Sequence, residues 1–399
     1  MTDVSTSPRS RTFGHALQAL WPLEPGVTYL NHGTVGVVPR QVLAAQQAIR
    51  DEIERHPARF LIRELADVGQ FPMRKPPRMR VAAARVAEFV GASADDVAFV
   101  DNATTGCNSV LRSWPFASGD EILLTDQGYG AIAKTAQYVA SRTGAVVRTV
   151  ELPYPGTTPE AIAASIEAAL TPRTKMLVID HISAVSALIL PVAAIAVACR
   201  KRGVVTLVDG AHALGALPLD IPALGVDFYT GNLHKWAMAP RSSAILWASP
   251  ARRGDLHPTV ISWGYGLGLG AEFDLTGTRD PSPWLASPAG IDFMRELGLD
   301  AMRAWNHRTV WDAARTFTER WQLAIPAPES MYGSMVTIPL PERFGPEKAA
   351  GLKDALFDEE AIEAQVFAFR GRAWIRLAAQ VYNEAADFEK LFAAIEKRA

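Results

Sequence analysis

The strongest constraint on the fold is a rhythm of short, almost uninterrupted apolar runs separated by helix-length segments. VAFV (97–100), EILLT (121–125), AVVRTVEL (145–152), KMLVID (175–180) and VVTLVD (204–209) are rich in β-branched and aliphatic residues. Strands of that kind are buried on both faces, as in a parallel sheet covered by helices. AIAKTAQYVASR (131–142), PEAIAASIEAAL (159–170) and PVAAIAVACRKRG (191–203) lie between them and have helical length and pattern. The alternation predicts βαβ units and an α/β domain. SAILWA (243–248) follows a loop rather than a long helix, which predicts an antiparallel partner in the same sheet. Beyond Pro288 the order changes. Two helical stretches over 289–321 precede MVTIPL, a helix near 346–357, QVFAF, AWIRLAA and a final helix, predicting a smaller α+β lobe. The expected division is an N-terminal arm over 1–26, a large domain over 27–282 and a small domain over 283–399. Segment 254–288, with GYGLGLG at 264–270, reads either as low complexity or as an active-site or subunit-interface loop.

Charge and cysteine usage remove several functions. With 40 Lys and Arg against 42 Asp and Glu, the net charge is -2. No basic excess is available for phosphate backbones or anionic lipid, so neither nucleic acid nor a membrane surface is an expected partner. The apolar stretch Ala184–Cys199 is broken at Pro191 and shorter than the ~18 residues a membrane span needs. It is expected to hold a strand end followed by a buried helix. The N-terminus, MTDVSTSPRSRTFGH, lacks the apolar core of a secretory signal, so a cytoplasmic location is expected. Only Cys107 and Cys199 are present, which excludes a disulfide framework and a cysteine-rich zinc or iron–sulfur centre; no metal site is expected.

Ligands of parallel sheets sit beyond the carboxyl ends of the strands. Asp209 ends VVTLVD, where a charge is costly without a partner. Lys235, in NLHKW, follows a second short strand. Either residue alone has an ordinary structural reading. Together they match pyridoxal phosphate, which needs a lysine amine for a Schiff base and a carboxylate against its pyridinium nitrogen. A phosphate site should accompany them. DNATTG (101–106) closes VAFV and opens a helix, placing backbone N–H groups and hydroxyls where the helix dipole favours an anion. Asn232 and His234 flank the lysine and offer further donors, and Tyr129, in TDQGYGA, offers an aromatic face.

NHGTVG (31–36), NATTG (102–106), DGAH (209–212), NLHKW (232–236), TGTRD (276–280) and WIRLAAQVYN (374–383) fall in the order seen in class V aminotransferases. Over residues 27–280 and 365–383 the sequence resembles the isopenicillin N epimerase-like branch of that family, which is related to the cysteine desulfurases. The resemblance implies the fold type I architecture of PLP-dependent transferases: a large domain with a mostly parallel sheet flanked by helices, and a smaller C-terminal α+β domain. It further implies a homodimer with the cofactor at the subunit boundary. Lys235 resembles the Schiff-base lysine and Asp209 the pyridinium partner. Tyr129 falls at the ring-stacking position. Thr104, helped by the backbone of Ala103 and Thr105, resembles the phosphate ligand, with His234 and Asn232 beside the lysine. Thr278 corresponds to a residue supplied to the phosphate by the neighbouring subunit. Arg376 matches the arginine that grips a substrate carboxylate. His212 lies near the cofactor in relatives, and Asn31 and His32 line the substrate entrance. DHISAVSALILP, RLAAQVYN and APRSSAILWA depart from the usual family text, which bears on the substrate rather than on cofactor use.

The expected chemistry is cleavage of a bond at the Cα of a small-molecule amino-acid-type substrate. Reprotonation from the opposite face gives epimerisation. Loss of a β-sulfur gives C–S lysis of a cysteine S-conjugate. Transamination and decarboxylation-coupled deamination are the further outcomes open to this scaffold. Apolar, Gly- and Trp-rich loops favour a larger substrate, such as an amino-acid-bearing natural-product intermediate. Neither cysteine falls in a C-terminal active-site loop, so a persulfide-forming desulfurase is not expected. A non-catalytic binding protein on a PLP fold is disfavoured by the intact Lys–Asp–Arg set. A nicotinamide oxidoreductase is disfavoured by the lack of GxGxxG after the first strand. Arg40 and Arg279 are alternative holders of the substrate carboxylate.

Overall fold

The structure is a computed structural model that describes residues 12–398. The first eleven positions of the proposed N-terminal arm therefore lie outside the described residues. The strands in chain order are β1 (Thr28–Tyr29), β2 (Val97–Val100), β3 (Glu121–Thr125), β4 (Val146–Val150), β5 (Thr174–Asp180), β6 (Val205–Asp209), β7 (Phe228–Asn232), β8 (Ala244–Ala248), β9 (Met335–Pro339), β10 (Ile362–Glu363), β11 (Gln365–Phe369) and β12 (Arg372–Ala378). Seven of them form one sheet in the order β2-β8-β7-β6-β5-β3-β4. All are parallel except β8, which runs antiparallel to both β2 and β7. SAILWA is thus the one reversed strand, as its missing crossover helix predicts.

Two apolar cores lie against this sheet. Leu177, Ile179, Val208 and Tyr229 belong to one, and Met176, Val178, Leu207 and Phe228 to the other. The split follows the two-residue period of a strand, which sends neighbouring side chains to opposite faces. Complete burial of one such aliphatic side chain contributes about 1.5–3 kcal/mol. AVVRTVEL departs from the expected doubly buried pattern: β4 is shorter, lies at the sheet edge and is only partly covered. Its Arg148 reaches across to the buried Glu121 at 3.0 Å. The apolar stretch 184–199 also differs from expectation. After β5 the chain makes a turn closed by an Ile182–Ile189 bridge, and the helix begins at Val192.

The C-terminal region forms a three-stranded antiparallel sheet, β11-β12-β9. Its ties to the N-terminal residues are close. β1 pairs in parallel with β10, and Trp21 packs edge-on against Phe293 and Tyr382. These contacts bring NHGTVG, which follows β1, to the mouth of the seven-stranded sheet. Among the described residues no helix is long and apolar enough to cross a membrane.

Candidate active site

The carboxyl ends of β3, β5, β6 and β7 converge on a cavity of about 440 Å³, a size suited to a small ligand. Thr34, Asn102, Thr104, Tyr129, Asp180, Ile182, Ala184, Asp209, His212, His234, Lys235 and Arg376 are among its lining residues. The chain therefore brings Lys235, Asp209 and Arg376 together from positions far apart in sequence. Arg40 and Arg279 lie elsewhere: Arg40 donates to the Ala19 carbonyl, and Arg279 pairs with Asp101 over the Trp284 ring.

Asp209 is buried and accepts the Ala211 backbone N–H at 3.0 Å. Burial raises its pKa, against the opposing pull of that bond and of Lys235. Lys235 follows β7. Burial, with Arg376 nearby, pushes its amine down to about 8, while Asp209 and Asp180 act in the other direction. A substantial neutral fraction near neutrality makes this amine a ready nucleophile. Its Nζ lies 3.3 Å from His212 Nε2. Burial, with Lys235 and Arg376, drives the His212 pKa well down, so the imidazole is neutral and accepts the lysine's proton donor. The chemistry gives a direct expectation. Condensation of the apoenzyme with pyridoxal phosphate should speed up as pH rises and level off above about 8, whereas an ordinary lysine would keep accelerating to about 10.4. Absorbance-monitored reconstitution across that range checks it, and a rate still climbing above pH 9 would contradict the depressed amine.

The helix Ala103–Ser113 begins at the cavity. Gly106 lies on its first turn, where an added Cβ would collide with Thr230 Oγ1 of β7, so glycine permits the helix to sit directly against the strand. The side chain of Asn102 caps this helix by accepting from Thr105 N at 2.9 Å, and its carbonyl accepts from Gly106 N. Ala103 N donates to Asn232 Oδ1 at 2.8 Å. The Ala103 N–H is thus spent on the Asn232 side-chain oxygen and the Thr105 N–H on that of Asn102, a correction to the expected role of these two backbone donors as phosphate ligands, while Asn232 itself lines the cavity. Thr104 lines the same cavity. His234 faces the same cavity, and its Nδ1 donates to the Ser243 carbonyl at 2.8 Å. Burial holds its pKa down to about 4. Its Nε2 can donate to an anion only as imidazolium, and a phosphate dianion would favour that form.

Tyr129 lines the cavity and is half exposed, with its backbone at the N-cap of the helix Gly130–Thr143. Thr278 is not brought to Lys235 within one chain. It lines a separate, apolar cleft of about 670 Å³ with Ile62, Phe71, Trp263 and Arg279. Asn31 and His32 depart from expectation. Both are buried, and neither is part of the cavity lining. His32, held neutral by burial with its pKa near 4, accepts from Tyr382 Oη at Nδ1 (2.9 Å) and donates from Nε2 to the Lys235 carbonyl (3.1 Å). It braces the lysine from behind instead of lining an entrance.

Asp180 was not singled out from the sequence. It ends β5 in register with Asp209 on β6, and both carboxyls are buried in the cavity wall. Burial and the Asp209 charge push its pKa well up, so the two carboxyls titrate as a coupled pair in which Asp180 resists ionisation. The signal that could have revealed it is the shared position of the two aspartates at the ends of consecutive apolar strands.

Two buried polar atoms around this cavity have no hydrogen-bond partner among the described residues: His212 Nδ1 and Arg376 Nε. Unpaired buried polar groups are rare and call for a missing partner. With an amine, a strand-end carboxylate and a helix N-terminus, the donor set fits a phosphorylated pyridine aldehyde.

A parallel sheet with lysine and aspartate converging beyond its carboxyl ends defines a pyridoxal-phosphate-dependent enzyme of fold type I. The chain belongs to the class V aminotransferase family, which it matches over residues 39–355. It is 33% identical to the isopenicillin N epimerase of Streptomyces clavuligerus over 392 residues, covering 94% of this chain and 95% of that one. It is 34% identical to the putative L-cysteine desulfhydrase 1 of Oryza sativa subsp. japonica over 415 residues, covering 94% and 83%. Among solved structures, the cystine C-S lyase C-DES with its reaction product cysteine persulfide superposes with a TM-score of 0.75 at 23% identity, covering 92% of this chain and 97% of that one. A C-DES lysine mutant with glycine covalently linked to its PLP cofactor gives 0.76 at 23% identity, covering 94% and 98%. These last two likenesses establish the fold, and the family establishes the cofactor.

Proposed function

We propose that this enzyme removes the Cα proton of an amino acid whose carboxylate Arg376 holds, and that the outcome is epimerisation of an amino-acid-bearing natural-product intermediate. The observation that carries the reading is the Arg376 guanidinium, buried in the Lys235 cavity with its Nε unpartnered. A planar fork donor held out of water without a carboxylate suits a substrate that brings one. Bound pyridoxal phosphate supplies an electron sink for the pair released at Cα. Asp209 would hold a proton on the pyridinium nitrogen, and Thr104 and His234 would hold the phosphate. Lys235, whose Nζ lies 3.3 Å from His212 Nε2, would carry a proton to or from Cα. Ile182 and Ala184 wall the cavity and exclude water there. The likeness to the Streptomyces clavuligerus epimerase over nearly the whole of both chains supports this outcome.

A second reading, C–S β-lysis of a cysteine S-conjugate, is supported by the similarity to the rice desulfhydrase. It needs no protein thiol. Cys107 and Cys199 are both buried, and burial raises the pKa of each, to about 12 for Cys199, which disfavours a persulfide-forming route. The enzyme works as a homodimer. Val260, Ile261, Trp263, Tyr265 and Leu267 are all exposed, Trp263 by 69%, beside the apolar cleft that holds Thr278. So much apolar surface in one run favours a covering subunit, to whose phosphate Thr278 would be delivered.

The test is incubation of the holoenzyme in D2O with D- and L-amino acids and cysteine S-conjugates, with products read by mass and chirality. Deuterium at Cα with inverted configuration is expected. Pyruvate, ammonia and a free thiol would establish the lyase instead, a 2-oxo acid retaining its side chain the aminotransferase, and carbon dioxide the decarboxylating deaminase. No exchange and no spectral change with any compound would overturn catalysis in favour of a binding protein. Sedimentation of the same preparation should give two chains; a fully active monomer would overturn the shared site.

A further inference from the structure

A chain of hydrogen bonds runs behind Arg376. Arg376 Nη2 donates to Thr34 Oγ1 at 2.6 Å. Thr34 Oγ1 donates in turn to Asn31 Oδ1 at 2.6 Å. Asn31 Nδ2 donates to Glu363 Oε1 at 2.9 Å. On the other edge of the guanidinium, Nη1 donates to the Ala184 carbonyl at 2.7 Å. The Thr34 hydroxyl has one proton, committed to Asn31, so its lone pairs face Arg376. Glu363 anchors the far end as an acceptor, so every bond along the row points in the same sense and each supports the next. The guanidinium is therefore held at both of its terminal nitrogens, leaving Nε without a partner among the described residues.

The same short loop grips the lysine. His32 donates to the Lys235 carbonyl, as described above. At Gly36 an added Cβ would lie 2.5 Å from the His234 carbonyl oxygen and 2.6 Å from that of Lys235. Only glycine lets the loop pass this close to the lysine's backbone. One loop, Asn31 to Gly36, thus touches both the cation that faces the cavity and the backbone that carries the amine.

We propose that Thr34, oriented through Asn31 by Glu363, is a positioning residue that fixes the Arg376 fork toward the substrate carboxylate and keeps it in register with Lys235. The inference rests on the reading that Arg376 binds a carboxylate, and it adds which residues make that binding selective. A flexible arginine would lose side-chain entropy on each binding event; one already clamped at Nη1 and Nη2 does not. The clamp also sets the plane of the fork, so a ligand lacking the carboxylate gains nothing from it.

The test uses holoenzyme and two probes, L-alanine and L-alaninamide, with binding read from the change in cofactor absorbance. Thr34→Val keeps the shape and removes the hydroxyl. It should weaken L-alanine by about tenfold, the scale of one bond to a charged group, and leave L-alaninamide within about twofold. Thr34→Ser should restore the wild-type value. Arg376→Ala should weaken L-alanine more than Thr34→Val does and again spare the amide. Equal weakening of both probes by Thr34→Val, or no weakening of L-alanine, would overturn the positioning role while leaving the carboxylate reading intact if Arg376→Ala still discriminates. A wild-type enzyme that fails to prefer L-alanine, or an Arg376→Ala variant that binds it as wild type does, would remove the carboxylate reading and the relay with it.

Discussion

Lys235→Ala is expected to abolish turnover and the absorption band of the lysine Schiff base together. The two losses share one cause. Lys235 lines the cavity that also holds Asp209 and Arg376, and its depressed pKa leaves a substantial neutral fraction near neutral pH. Alanine removes both the amine that binds the cofactor covalently and the group that carries a proton at Cα. Residues that act as nucleophile or base in concert typically cost about 10³–10⁶-fold in kcat when deleted. Thr104 and His234 still line the cavity, so the variant should still take up pyridoxal phosphate, now as free aldehyde removable by dialysis. Borohydride reduction followed by peptide mass mapping gives the sharpest readout. The wild-type protein should carry a pyridoxyl group at Lys235, and the variant none. A label on another lysine, or an unchanged absorption band in the variant, would sink the assignment. Because the lysine's carbonyl is braced by His32, truncation beyond Cβ leaves the backbone held, and circular dichroism should show an intact fold.

How far the site could be read in the sequence depends on which bonds carry it. Asp209 and Lys235 were legible because each ends or follows a strongly apolar strand, and parallel sheets collect such residues on one edge. The reversed strand β8 was legible from the short connection before it. Arg376 was legible only through family likeness, since nothing in AWIRLAA says that it will fold back to face Asp209 and Lys235. The misreadings have one physical origin. Ala103 and Thr105 look like free backbone donors in a linear motif, yet the helix N-terminus must satisfy its own N–H groups first, and the side-chain oxygens of Asn232 and Asn102 do so. Asn31 and His32 look like surface polar residues. They are buried because β1 pairs with β10, more than 330 positions away, and carries them behind the lysine. Asp180 was passed over because its strand looks like pure core; its importance comes from register with Asp209, which belongs to the sheet and not to either strand.

That register decides what happens when Asp209 is changed. Asp209→Ala is expected to lower kcat by far more than tenfold, on the order of 10²–10⁴, with a smaller effect on the retention of cofactor. On the proposed reading the carboxylate would stabilise a protonated ring nitrogen, so its removal should raise the barrier at Cα directly, whereas Thr104, His234 and Lys235 remain in the cavity to hold the cofactor. The neighbouring Asp180 adds a second, opposite consequence. Burial first, and the Asp209 charge second, push the Asp180 pKa up. Once that charge is gone, its folded-state pKa falls, and Asp180 ionises at lower pH than in the wild type. The residual activity of Asp209→Ala should therefore rise with pH if Asp180 can serve the ring in its neighbour's place, and a double variant with Asp180→Asn should lose that rise. A flat residual profile would mean that Asp180 cannot reach the nitrogen. Near-normal kcat in Asp209→Ala alone would be decisive in the other direction: the strand-end carboxylate would then not be the group that makes the ring an electron sink, however well its position matches.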